Sequence, residues 1–126
     1  QIELATKILF PITAESQLFE LEEKLSSGDL LRDLSLQLSL VGGETIKKVI
    51  YYILKKILCK DVCQLYSGKG KKNKKDFSAL KTYKAIIGAV RHIFPQASDE
   101  EILKQVSLTL VESRDWDGGK LMRKNN

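Results

Sequence analysis

An all-α fold is predicted, a compact bundle of five to six helices with a basic loop between the central ones. Three observations lead there. Two stretches, Ile46 to Leu58 and Leu80 to Phe94, repeat apolar residues at the helical period. Capping and stop signals, Ser98-Asp99-Glu100-Glu101 above all, mark off further helices of ordinary length. Alternation suited to a strand appears over Ser35 to Leu40, with no second convincing run to pair with it.

Residues 1–12 are expected as an extended N-terminal segment, because Pro11 pushes Phe10 out of helical geometry. Thr13 is placed as the N-cap of the first helix, with Glu15 in its first turn, where the helix dipole favours negative charge. Leu18, Leu21 and Leu25 form one apolar stripe there, among Glu20, Glu22, Glu23 and Lys24. Ser26-Ser27-Gly28 ends that helix, and Asp29 is the expected cap of a second one carrying Leu30, Leu31, Leu34 and Leu38. So short a leucine helix is marginal alone and must pack on something.

Gly42-Gly43 breaks the chain before the central helix, where Ile46, Val49, Ile50, Ile53, Leu54, Ile57 and Leu58 form the stripe and Lys47, Lys48, Lys55 and Lys56 lie off it. A short helical turn from Asp61 to Leu65 should come next, and then the basic loop. After the loop, Leu80, Tyr83, Ile86, Ile87, Val90 and Phe94 define another helix that Pro95 ends. Ser98 opens the last helix, with Ile102, Leu103, Val106 and Leu110 on its apolar side. Residues 13–114 thus read as a single helical domain and residues 115–126 as a disordered tail.

Composition places the chain among globular proteins, with 43% hydrophobic and 29% charged residues in a length of 126. No apolar run approaches the roughly 20 residues of a membrane span, so no membrane partner is expected. The start lacks the basic and apolar regions of a signal peptide, and Gln1 in first place is expected of a piece of a longer protein. Cys59 and Cys63 lie four apart, but a metal site would need two more ligands and His92 is the single histidine. Both read as reduced, half-buried small hydrophobes of an intracellular protein, with no metal or cofactor.

The loop from Ser67 to Asp76 carries the strongest functional signal. Five of the seven residues Lys69 to Lys75 are lysines (Lys69, Lys71, Lys72, Lys74 and Lys75), and the formal net charge of the chain is +5. Such a flexible positive patch on a domain that otherwise balances its charge suits a polyanion; it equally suits a solvated loop. Lys47 and Lys48, beside the adjacent Tyr51 and Tyr52, form a second basic–aromatic group of the kind that meets phosphate and stacks on bases. Gly68-Lys69-Gly70-Lys71 lacks the spacing of a phosphate-binding P-loop, and no nucleophile–base set emerges, so the chain is expected not to be an enzyme.

Leucines are more numerous in the first two helices than one face of each needs. Leu18, Leu21, Leu25 and Leu34 are therefore candidates for partner binding or for closing a homodimer, and Trp116 either closes the core or anchors a partner. The acidic residues Glu15, Glu20, Glu22 and Glu23 and the basic loop have opposite signs, which would also allow head-to-tail pairing between copies, though such pairs are individually weak.

Val41-Gly42-Gly43, the helix Ile46 to Leu58, Tyr66-Ser67-Gly68-Lys69-Gly70, Lys74-Lys75-Asp76-Phe77-Ser78-Ala79-Leu80 and the helix to Phe94 succeed one another in a recognisable order. In that order the stretch from Leu40 to Arg114 resembles an uncharacterised animal domain family frequent in arthropod proteins, and more distantly it resembles the BEN domain, an all-helical module. The resemblance implies binding to DNA or chromatin proteins, often as a dimer, with base contacts from the C-terminal helix and the residues just beyond it. Here Glu112, Asp115 and Asp117 around Arg114 oppose DNA at that end. Two function classes emerge: a nuclear, chromatin-associated module that contacts nucleic acid through the lysine loop, or a protein-interaction and homodimerisation module that uses the leucine-rich helices.

Overall fold

The structure, a computed structural model, describes residues 2, 3 and 6–118, with side chains described for 6–117. The expected all-α bundle forms. Its helices among the described residues are α1 Glu15–Lys24, α2 Gly28–Ser39, α3 Ile46–Ile57, the short α4 Lys60–Cys63, α5 Lys81–Ile93 and α6 Asp99–Glu112. Two minimal strand pairs accompany them: β1 Ile2–Glu3 antiparallel to β2 Leu9–Phe10, and β3 Tyr66–Ser67 parallel to β4 Lys75–Asp76. Pairs only two residues long leave no periodic trace, so the sequence offers no warning of them.

Helix α3 is the axis of the core, with Val49, Ile50, Ile53, Leu54 and Ile57 all buried. The Thr45 hydroxyl starts it by accepting from the Lys48 backbone N–H at 3.1 Å. Glycine is required just before: Gly43 has φ 144°, and a Cβ there would stand 2.8 Å from Val49 Cγ2. Residues 35–40, with their strand-like alternation, do belong to a helix until Ser39, and α2 lies along α5, where the Ser35 hydroxyl donates toward the carbonyl oxygens of Leu31 at 3.0 Å and Ala85 at 3.1 Å.

Three caps differ from expectation. Ala14, not Thr13, is the N-cap of α1, and the Gln17 side chain satisfies the Thr13 N–H at 2.9 Å. Ser27, not Asp29, caps α2 by accepting from the Leu30 N–H, and Asp29 sits in the first turn instead. Helix α5 has no capping side chain of its own, since Leu80 holds that place. Glu22 reaches across from α1 and accepts from the backbone N–H of Lys81 and of Thr82, both at 2.8 Å, and from the Thr82 hydroxyl at 2.7 Å. Ser98 does cap α6, its hydroxyl accepting from Glu101 N–H at 3.0 Å.

Of the described N-terminal residues, Ile2–Glu3 and Leu9–Phe10 are extended, and the later ones join the core. Phe10 and Ile12 are fully buried, and Ile12 exchanges backbone hydrogen bonds with Ile57 (2.8 Å) and Cys59 (3.0 Å) at the end of α3. Past Arg114 the chain continues as 3-10 turns over Ser113–Gly118, broken by a kink at Trp116 and Asp117, and Trp116 is only 8% exposed. The rest of the expected tail, 119–126, lies outside the described residues.

Leu18, Leu21, Leu25 and Leu34 are all buried within the single chain, which corrects their assignment to a partner surface. They fill the space between α1, α2 and the rest of the bundle, so their number reflects two helices that each need a core face. What α2 leaves outside is Leu36, 44% exposed, and Leu40, 82% exposed, four residues apart on one side. Leu34→Ala should therefore lower the unfolding free energy by about 2–5 kcal/mol in urea titrations. Leu40→Ser, at a position with little to lose, should stay within about 0.5 kcal/mol of the parent.

Candidate nucleic-acid interface

The lysine loop is not the unorganised coil that its glycines suggest. Strands β3 and β4 clamp its two ends with Tyr66 opposite Lys75 and Ser67 opposite Asp76. Inside, the Ser67 hydroxyl accepts from Lys71 N–H at 2.7 Å, and Lys74 N–H donates to Lys71 O at 3.1 Å. Gly70, Lys72 and Asn73 turn the chain through left-handed conformations, with φ of 75°, 57° and 63°. On the far side Asp76 accepts from the N–H (2.9 Å) and hydroxyl (2.6 Å) of Ser78, which starts the 3-10 turn Phe77–Ala79 leading into α5.

The loop is seated on α6. A Cβ at Gly68 would lie 1.8 Å from Ser107 Oγ and 2.9 Å from Ser107 Cβ, so the backbone approaches the helix as only glycine allows. Between loop and helix lies a cavity of about 350 Å³. Lys69, Lys71, Lys72 and Lys74 line it from the loop, Arg114 from the turn after α6, and Tyr66, Ser107 and Val111 complete its walls. Nearby, the Gln64 amide donates to Leu110 O (3.0 Å) and Ser113 Oγ (2.6 Å), which satisfies carbonyl and hydroxyl groups at the end of α6 and holds the turn that carries Arg114.

Lys75 faces the other way. Residue alternation in β4 sends it toward α1, where its ammonium meets Glu15 Oε2 at 2.5 Å and lies 5.7 Å from the centre of the Phe19 ring. The same carboxylate accepts from the Tyr66 hydroxyl at 2.9 Å. The Lys75 hydrogen bond holds the Glu15 carboxyl below its ordinary 4.5, against partial burial and with help from Tyr66. Burial first, and then Glu15, pushes the Tyr66 phenol up. Acidic α1 and the basic loop thus meet within one chain through Glu15 and Lys75.

Lys47 and Lys48 stand apart from this site. They line a separate cavity with Tyr51, Tyr52, Thr109 and Glu112 between α3 and α6, and Lys48 pairs loosely with Glu44 at 3.7 Å. Trp116 closes the core here: its ring meets Tyr51 edge-on at 6.0 Å, with the Lys55 ammonium 5.3 Å from its centre. One residue of the site has no signal in the sequence: Arg114 belongs to it only through the fold.

The seat on α6 makes a sharp prediction. Gly68→Ala should lower the melting temperature and broaden the amide resonances of residues 67–76, and Ser107→Gly in the same chain should restore the loop spectrum by removing the atoms in its way. The acid side makes another. Because the folded-state value of Glu15 is depressed, its contribution to stability is present above its unfolded value and is lost as pH falls through the folded one. In a carboxyl NMR titration Lys75→Ser should raise the Glu15 midpoint, and the acid-side loss of stability should shrink with it. Set against models of known protein families, curated proteins and solved structures, the chain matches none.

Proposed function

We propose that the chain is a non-enzymatic binding module of a nuclear, chromatin-associated protein, and that it contacts nucleic acid through the lysine loop together with Arg114. One observation carries the reading: five cationic side chains from two distant parts of the sequence converge on a single cavity. Among the described residues, no carboxylate lies within ion-pair distance of Lys69, Lys71, Lys72, Lys74 or Arg114. Cations without a carboxylate partner among the described residues are suited to phosphate, which they would meet without first breaking an ion pair there. The motif order from Leu40 to Arg114, resembling the BEN domain, favours the same class.

A non-catalytic role is supported by the chemistry of the reactive side chains. His92 is exposed near the end of α5, and burial with the neighbouring Cys59 pushes the Cys63 thiol up to about 12. The second reading, self-association or another protein contact, now rests on Leu36 and Leu40. No helix among the described residues is long and apolar enough to cross a membrane.

The salt dependence of duplex binding tests the reading. Lys75 is engaged with Glu15, so of the five remaining cations, Lys69, Lys71, Lys72, Lys74 and Arg114, about four should meet a phosphate at once, and log K should fall with log salt at a slope near −3.6. Raising salt from about 50 to 200 mM would then weaken binding roughly a hundredfold. Replacing Lys69, Lys71, Lys72 and Lys74 with serine should abolish most binding and leave the melting temperature nearly unchanged. Equal binding by the two proteins, or none by either, would leave the loop as solubilising charge and move the lead to the protein-contact reading.

A further inference from the structure

We infer that the cavity between the lysine loop and α6 receives one unpaired nucleotide, so that the chain prefers single-stranded nucleic acid to a duplex; the inference rests on the nucleic-acid reading above. The shape of the site is the first argument. Four lysines and an arginine on a convex surface would serve any phosphate backbone, but these surround a concavity of about 350 Å³, within the size range of small-ligand pockets. A duplex keeps its bases stacked inside a wide cylinder, and only its phosphates could reach the rim. A single strand can turn one base inward while its flanking phosphates meet Lys69, Lys71, Lys72, Lys74 and Arg114.

The walls make the second argument. Val111, 53% exposed, gives the cavity apolar surface that a phosphate alone would not need, and the aliphatic stems of the lysines add to it over a floor that the buried Tyr66 supports. Of the uncharged polar groups there, Ser67 is committed to Lys71 and the Gln64 amide to the end of α6, while the cations are taken up by the flanking phosphates. Few remain to read base edges, so the site should accept any base by fit and contact, with weak sequence preference. The clamp of β3 on β4 and the seat of Gly68 on Ser107 hold the cavity open before anything binds, which lowers the ordering cost of binding.

Charge alone works against this outcome, which makes the comparison informative. A duplex carries the denser phosphate array and the steeper counterion release, so a site that senses only charge favours it. The test is fluorescence anisotropy of the full chain with one labelled mixed-sequence oligonucleotide, unpaired or annealed to its complement, at the same salt. The unpaired strand should bind about tenfold more tightly, the scale of one base contact. Val111→Ser removes the apolar wall without changing charge or adding an aromatic face; it should weaken single-strand binding about fivefold and leave duplex binding within about twofold. Circular dichroism confirms that the variant is folded. Duplex binding as tight as single-strand binding, or a Val111→Ser protein unchanged toward both, would overturn the pocket while leaving the lysine loop as a nucleic-acid contact. Failure to bind either form would remove both.

Discussion

The first two backbone N–H groups of α5, those of Lys81 and Thr82, find their acceptor outside their own stretch of chain, and the bundle is organised around how that need is met. Glu22 supplies both oxygens from α1, some 60 residues earlier in the sequence. A carboxylate at a helix N-terminus gains from the dipole as well as from the hydrogen bonds, and here it also fixes the position of one helix relative to another. The 3-10 turn and β4 lie immediately before α5, so the point that Glu22 holds is also the point from which the lysine loop departs. Glu15, two turns earlier on α1, takes hold of the loop itself through Lys75 and Tyr66. Helix α1 therefore serves as a brace, and two residues that look like solvated charge set the geometry of the site.

Much of the architecture was legible in the sequence because it depends on near neighbours. The stripes of α3 and α5, the Ser98 cap and the Gly42-Gly43 break are all local patterns, and each appears where its pattern puts it. The misses share a cause. Phe10 and Ile12 pack against the end of α3, and Trp116 packs on Tyr51, through contacts between distant residues that no periodicity announces. The excess of leucines in α1 and α2 was visible, but whether it faces a partner or the chain's own core depends on where α5 runs. Burial of Leu18, Leu21, Leu25 and Leu34 answers that question.

The site was legible by charge and not by shape. A cluster of five lysines needs no structure to be noticed. That Lys75 turns to α1 while Lys69, Lys71, Lys72 and Lys74 turn to α6 results from a strand two residues long. Arg114 joins them because the Gln64 amide anchors the end of α6. Order in the loop changes its energetics too. A coil of lysines would lose chain entropy on contact with a polyanion, whereas a loop already clamped at both ends has lost most of it during folding.

Trp116 adds an optical consequence. It is the single tryptophan of the chain, it sits in the turn after the last helix, and it is packed against Tyr51 with Lys55 beside its ring. Its fluorescence therefore comes from one indole in one known environment, with tyrosine close enough to pass excitation to it. Undocking of that turn would expose the indole to water and shift its emission to the red, even while the helices stayed intact. The protein thus carries an intrinsic reporter at the end of α6, beside the turn that presents Arg114, and the state of that end can be followed in solution without a label.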